Sequence, residues 1–525
     1  MKRTTLLLML SAACSFVLAQ NPVQQKYAQE ITKESSYKHL DVLTSKDFAG
    51  RGTNQEGGVK TQNYIETEFK KMGLKGPVNG GYKQPVKLLS SVFEVKEFAL
   101  AGNKLTAGKD FIANGSQSLS TVQAKDVVFV GYGVSDEKFD ELKGLDLKDK
   151  VVLVINEGEP VDADGNSLIT GTKTLSDWAN PRSNKRMQAI AAKGPKMILV
   201  TSSAIDANIE RAGAAASRSR ISIEGGQVAN AAAASPMVFN LTTAAADLLL
   251  KKGKTSIADF KAKIASTKKA QSKKINAAVK ATAGVVATPF TDHNVMGLLE
   301  GTTKKDEIVV VMGHFDHDGI NAQGVFFPGA DDNGSGTVGV IEIARAFAKA
   351  AQEGHKLQRS ILFIGLCAEE KGLIGSDYYS QNPIFPLANT VAAINLDMIG
   401  RIDDMHLRGN HNYIHVIGSD KLSSELHTII LDANADYTHM ELDLTYNDPE
   451  DPNRIYYRSD HYNFAKHGIP SVFFFSGLHP HYHTPEDTIE KIDFDMMVKR
   501  ARLVFHSAWE VANRDGRLVV DSNKK

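Results

Sequence analysis

The sequence predicts an α/β fold: a mixed, largely parallel central sheet flanked by helices, with a smaller strand-rich module inserted. Three observations carry this. From about residue 290 strand-like and helix-like segments alternate, the pattern of a sheet whose strands are joined by covering helices. Several of those strands are apolar without interruption, as expected when helices cover both faces of the sheet. From about residue 125 the texture differs, with short apolar strands ending in glycine. The 525 residues suffice for two or three domains, and 42% hydrophobic with 23% charged residues excludes a disordered, collagen-like or linker chain.

The elements follow in order. Residues 59–72 read as a helix with Tyr64, Ile65, Phe69 and Met72 as its buried stripe, and Gly73 as its stop. Strands are expected at 127–133 and 151–158, a helix at 185–194, a strand at 197–203, and a strand at 236–240 before an Ala- and Leu-rich helix. Residues 251–280 hold ten Lys and one acid, Asp259, with Phe260 the only aromatic. Nucleic-acid patches interleave aromatics or arginine, so this run reads as a solvated basic surface. Beyond it come strands at 307–313, 360–366, 391–397, 414–418 and 471–477. Helices fall at 337–350, 423–435 and 494–513.

The first twenty residues carry Lys2 and Arg3, an apolar stretch from Leu6 to Val17, and small residues at Val17 and Ala19. This is the pattern of a secretory signal peptide cut before Gln20. Lipoprotein anchoring through Cys14 is the weaker alternative, because Ser11 stands where a larger aliphatic residue belongs. Cleavage would leave Cys367 alone, without an internal disulfide, so core packing or metals must hold the exported chain. No later stretch offers the roughly 20 apolar residues of an integral membrane segment. Lys plus Arg equals Asp plus Glu at 61 each, so no global charge favours nucleic acid or an anionic membrane. A soluble protein of a periplasm or the exterior is expected.

Of 16 histidines only His39 precedes residue 290, which places any imidazole chemistry in the C-terminal half. There, apolar segments end in polar clusters: His314, Asp316, His317 and Asp318 after one strand, and Asp331, Asp332 and Asn333 before a helix. Glu369–Glu370, Asp397, and the loop HPHYHTPED (479–487) follow others. Ligands of open α/β sheets sit beyond the carboxyl ends of the strands. Each cluster alone has an ordinary reading as a helix cap or first-turn acids. Together, so many carboxylates on one rim require cations. Imidazole with carboxylate oxygen suits zinc, and a carboxylate can bridge a metal pair.

The motifs HFDHDG (314–319), PGADDNGSG (328–336), CAEEKGLIGS (367–376), INLDMIG (394–400), SDHYNF (459–464) and YHTPEDT (482–488) resemble, in order and identity, those of the M28 zinc metallopeptidases. TSKDFAGRGTNQEGG (44–58) resembles that family's N-terminal segment. DVVFVGYG with LKGLDLKDKVVLV (142–154) resembles a protease-associated domain inserted into such enzymes. The resemblance implies the zinc-peptidase fold and two Zn2+ per chain. His314 and Asp397 would bind one ion, Glu370 and His483 the other, and Asp331 would bridge them. Glu369 would be the general base, and Asp316 would fix the tautomer of His314. A strained or cis link would follow the bridging aspartate, at Asp331–Asp332.

The implied organisation is a signal peptide at 1–19, an N-terminal part of the peptidase domain at 20–122, the insert at 123–288 and the main domain at 289–525. The implied activity is exopeptidase action on peptides, led by an aminopeptidase. Dipeptidase or glutamate-carboxypeptidase-like action is the alternative, and a binding-only role the non-enzymatic rival. Arg401 and Arg458 keep the carboxypeptidase reading open, since a terminal carboxylate needs Arg or Lys. Cys367 reads as a packed residue, not a nucleophile.

Overall fold

The computed structural model describes residues 20–180, 183–212, 219–225 and 236–522; the signal-like segment 1–19, with Cys14, lies outside the described residues. The chain forms two compact units, Met1–Val86 with Asp292–Lys525, and Lys87–Thr291. The second unit therefore opens at Lys87, earlier than the 123 expected from texture. The reason lies in the strand Lys83–Leu100, whose Phe98 packs on Phe111 and Phe239 with ring centroids 4.8 and 4.2 Å apart. These residues belong to the second unit's core, and the crossing falls inside one continuous strand.

In the first unit seven strands carry the site: β1 (Val279–Leu299, through its last residues), β2 (Lys304–His314), β3 (Arg359–Leu366), β4 (Thr390–Leu396), β5 (Tyr413–Ile417), β6 (Glu441–Asp443) and β7 (Ser471–Phe475). Their spatial order is β6-β5-β7-β4-β2-β3-β1. The four central strands β3, β2, β4 and β7 run parallel. β1 pairs antiparallel with β3, and β5 antiparallel with β7. The sheet is mixed and largely parallel, as the sequence predicts.

Helices cover both faces. On one, Ile308, Val310 and Met312 of β2 and Leu362 and Ile364 of β3 pack with Tyr379 of α1 (Ile374–Gln381) and Phe464 of α2 (His461–Ala465). On the other, Phe363 of β3 meets Phe347 of α3 (Gly336–Gln352), which stacks near Phe505 and Trp509 of α4 (Phe494–Asn513). Alternate β2 residues feed opposite faces, so a continuously apolar strand is what this layering requires. Asp493 caps α4 by accepting from the Met496 N–H at 3.0 Å.

The second unit has its own six-stranded sheet, ordered Lys273–Ile275, Val127–Phe129, Val151–Ile155, Met197–Thr201, Met237–Leu241, Phe111–Asn114. Its inner pairings are parallel and its two outer ones antiparallel. The lysine-rich run contributes the helix Ile257–Thr267, with Phe260 and Ile264 buried and its lysines exposed or half-buried. Among the described residues no helix is long and apolar enough to cross a membrane.

Candidate metal centre and active site

Strand order builds the site. β2 ends on His314, β3 leads through Cys367 and Ala368 to Glu369 and Glu370, and β4 leads to Asp397. Because the three strands are parallel and His314 is in register with Leu366, all three ends reach the same edge. Asp332 arrives from the segment 330–335 that precedes α3, and His483 from the loop after β7.

The distances define two donor groups. His314 Nε2 lies 3.3 Å from Asp397 Oδ1, 3.6 Å from Asp332 Oδ1 and 3.9 Å from Glu369 Oε2. His483 Nε2 lies 3.2 Å from both Asp332 Oδ2 and Glu370 Oε2. Asp332 thus offers one oxygen to each group. His317 Nδ1 is 2.9 Å from Glu370 Oε1, and His483 Nδ1 is 3.0 Å from Asp318 Oδ2.

Of the residues expected from the motifs, His314, Glu369, Glu370, Asp397 and His483 come together here. Asp331 does not: Asp332 stands in the shared position. The Asp331 carboxylate is turned away and accepts from the Gly400 N–H (2.6 Å) and the Ser335 hydroxyl (2.8 Å), with His479 Nε2 at 3.3 Å. The cis peptide follows Asp332, at Asp332–Asn333, not Asp331. Asp316 touches His314 through its backbone carbonyl, 3.1 Å from Nδ1, whereas its carboxylate stays 3.9 Å away. That carboxylate instead accepts from the Glu369 N–H (3.0 Å) and the Thr53 hydroxyl (2.9 Å). It orients the turn that presents Glu369.

The donors and the backbone behind them are tied. Ser459 donates to Asp397 Oδ2 at 2.6 Å, Thr337 to the His314 carbonyl at 2.7 Å, and Asp487 accepts from the N–H groups of Asp331 and Asp332. The fully buried Arg51 guanidinium donates to the carbonyls of Phe315, Leu43, Pro328, Gly329 and Asp332. A single cation therefore grips the loops that bear His314 and Asp332. Sequence reading missed this, although Arg51 sits within the GRG of the N-terminal motif.

Burial and mutual repulsion set the electrostatics. Burial pushes Glu370 up to about 7 and Glu369 well above the usual carboxylate range, His314 opposing the latter and Glu370 and Asp397 adding to it. Asp332 is raised by burial and by Glu370. Burial would lower His483, but hydrogen bonds to Asp318 and Asp332 outweigh it and push the imidazole up to about 11. A carboxylate-rich cleft that holds protons this tightly is short of positive charge. The two donor groups, each mixing imidazole nitrogen with carboxylate oxygen, fit a pair of zinc-class cations taking the place of those protons.

Beside this centre lies a pocket walled by Met398, Ile455, Phe473, Phe475, Leu478 and Tyr482, with His314, Asp332, Glu369 and Asp397 at its floor. Arg458 also lines it and donates to the Tyr482 hydroxyl at 3.2 Å. Arg401 is engaged elsewhere, with Nη2 3.1 Å from His481 Nδ1 and Nη1 3.7 Å from Asp487. His461 is fully buried, stacked on Phe473, and burial drives it down to about 3. Cys367 is buried, its thiol pushed well up by burial.

Residues 294–508 match the model of Peptidase family M28. A probable leucine aminopeptidase of Arthroderma benhamiae is 34% identical over 215 residues, 40% of this chain and 55% of that protein. Leucine aminopeptidase 1 of Trichophyton equinum is 32% identical over 233 residues, 42% of this chain and 59% of that protein. The chain thus spans little more than half the length of these curated relatives. The aminopeptidase from Aneurinibacillus sp. strain AM-1 superposes with a TM-score of 0.54 at 21% identity, over 95% of this chain and 98% of that one. A zinc aminopeptidase from Bacillus subtilis gives 0.53 at 19% identity, over 92% and 96%. The family match thus lies within residues 294–508, and the fold is that of the two solved aminopeptidases.

Proposed function

We propose that the protein is an exported dinuclear-zinc aminopeptidase that removes N-terminal residues from peptides. The observation that supports this most directly is Asp332, reaching with one oxygen toward His314 and with the other toward His483, beside Glu369. His314, Asp332 and Asp397 would hold one ion, and Asp332, Glu370 and His483 the other. When bound, the pair supplies Lewis acidity that polarises the scissile carbonyl and acidifies a water.

The chain's own residues do the rest. Glu369 Oε2, 3.9 Å from His314 Nε2, takes a proton from the attacking water and returns it to the departing amine. The buried Asp316 carboxylate holds the Glu369 backbone in place for both transfers. The apolar walls at Met398, Ile455, Phe473, Phe475 and Leu478 receive the substrate's first side chain and exclude water from it. This supports a preference for aliphatic residues, in keeping with relatives named leucine aminopeptidases. Lys87–Thr291 we read as a protease-associated type of insert, on the strength of its sequence resemblance and its separate sheet.

Arg458 at the pocket supports the carboxypeptidase alternative, so the test must separate the two. Zinc-loaded enzyme is incubated with a defined peptide set, each peptide free, N-acetylated or C-amidated, and the products are weighed by mass spectrometry. Stepwise loss from the N-terminus, abolished by acetylation and indifferent to amidation, is expected. Loss of the C-terminal residue from acetylated peptides, abolished by amidation, would replace this reading with the carboxypeptidase one.

A further inference from the structure

A second cluster of imidazoles and carboxylates shares no residue with the donor groups above. Asp403 and His406 sit in the loop after Asp397, His415 on β5 and Asp443 on β6. Asp403 Oδ1 is 2.7 Å from His406 Nδ1, and Asp403 Oδ2 is 2.7 Å from His415 Nε2. On the far side of the same two rings, Asp443 Oδ2 is 3.6 Å from His406 Nε2, and Asp443 Oδ1 is 3.4 Å from His415 Nδ1. Asp403, His406 and His415 are all buried, and their donor atoms lie within 4.8 Å of one another.

We propose that Asp403, His406 and His415 form a separate binding site for one divalent cation of the zinc class, with Asp443 orienting both imidazoles from behind. The donor set is two imidazole nitrogens and one carboxylate oxygen, three protein ligands of the kind that hold zinc with water in the fourth position. Adjacent donors around a tetrahedral ion with arms of about 2.0–2.1 Å stand roughly 3.3 Å apart. The two 2.7 Å contacts are proton-sharing hydrogen bonds that need widen by only about 0.6 Å for an ion to replace the protons.

An independent feature points the same way. His415 is fully buried, yet its Nδ1 has no hydrogen-bond partner, Asp443 Oδ1 standing 3.4 Å off. Ligation at Nε2 fixes the tautomer with a proton on Nδ1, and metal-bound histidines donate that second N–H to a carboxylate. Asp443 is the carboxylate placed for it, and it stands in the same relation to His406.

The position is fixed on every side. The Asp403 N–H donates to the Tyr413 hydroxyl (2.8 Å), and the His406 N–H to Asp403 Oδ1 (2.9 Å). The Tyr413 ring stacks on His406 at 3.4 Å between centroids. Gly477 adjoins, where a Cβ would come within 2.2 Å of Asp403 Oδ2. An ion here would pin the loop after Asp397 to β5. Because ligation displaces shared protons, uptake would release protons and weaken at acid pH.

The test is zinc stoichiometry of the full chain, stripped of metal and re-dialysed against buffered zinc. The wild type is expected to bind one equivalent more than the His406→Gln/His415→Gln double variant. That difference is independent of how many ions the centre around Asp332 holds, so it stands or falls apart from the proposed activity. Equal stoichiometries would overturn the site. Should the double variant fail to fold, the complementary Asp332→Ala/His483→Ala variant, which disables the other centre, decides. One retained zinc, released on acidification below the imidazole range, supports the site, and none overturns it.

Discussion

At the scale of single residues, two neighbouring acids divide the labour of the site. Glu369 faces His314 and the apolar pocket, whereas Glu370 faces His317 and His483. Glu369→Gln keeps size and hydrogen bonding but cannot carry the proton. Turnover should fall by about 10²–10⁴ with zinc content unchanged, measured as kcat beside metal analysis of the same sample. Asp332→Asn should reduce zinc binding at both positions, while Asp331→Asn should leave stoichiometry intact and lower stability, because its carboxylate braces Gly400 and Ser335. Dialysis and thermal unfolding of the two variants separate these outcomes. Five of the site residues were legible because they stand in motifs that resemble those of the M28 zinc metallopeptidases; the polar ends of apolar strands marked only the clusters they belong to. The choice between Asp331 and Asp332 was not, since two consecutive identical side chains differ only in which way the backbone turns them. Arg51 was equally hidden, because its partners are backbone carbonyls that sequence does not display. Arg51→Lys loses the planar fork that reaches several carbonyls at once. It should weaken zinc affinity and lower the unfolding temperature without altering which peptides are cut, read by competition dialysis and a substrate panel.

At the scale of elements, the alternation of strand and helix beyond residue 290 was readable because both faces of the sheet are covered and its strands are apolar throughout. The two long strands Lys83–Leu100 and Val279–Leu299 were not, since their middles are polar and half-exposed. Between elements of the second unit lies a group with a pH consequence. Glu141 is 3% exposed, accepts from the Val134 N–H at 3.1 Å, and leaves Oε1 without a partner. Burial pushes it up to about 8. In the unfolded chain it titrates near 4.3. Between those values the folded state holds a proton that the unfolded state has lost, so stability falls as pH rises, by up to about 1.4 kcal/mol per unit. Below about pH 4 the penalty vanishes. Glu141→Gln should flatten this slope and stabilise the second unit at pH 8, as chemical denaturation at pH 5 and 8 would show. An unchanged slope would mean that Glu141 ionises at little cost.

At the scale of the whole molecule, the two units differ in how their chain is assembled. Lys87–Thr291 is one continuous segment, while the first unit needs residues up to Val86 to meet those from Asp292 onward. The second unit's two apolar clusters draw only on its own residues. One gathers Phe98, Phe111, Leu153, Phe239 and Leu249, and the other Val130, Val152, Ile190 and Ile198. A core closed within one continuous segment is the condition for independent folding. Every donor of both proposed metal sites lies in the first unit. Ligands stabilise only what binds them, by about 2.7 kcal/mol for an ion present at a hundredfold its dissociation constant. The expectation is therefore two calorimetric transitions. Chelation should lower the one belonging to the first unit by several degrees and leave the other in place. Glu141→Gln should move the second alone, assigning it. A segment of residues 87–291 expressed by itself should unfold cooperatively at the temperature of that second transition, with or without chelator. A single transition shifted as a whole by chelation, together with an unfolded isolated segment, would show that the two units share one cooperative unfolding event.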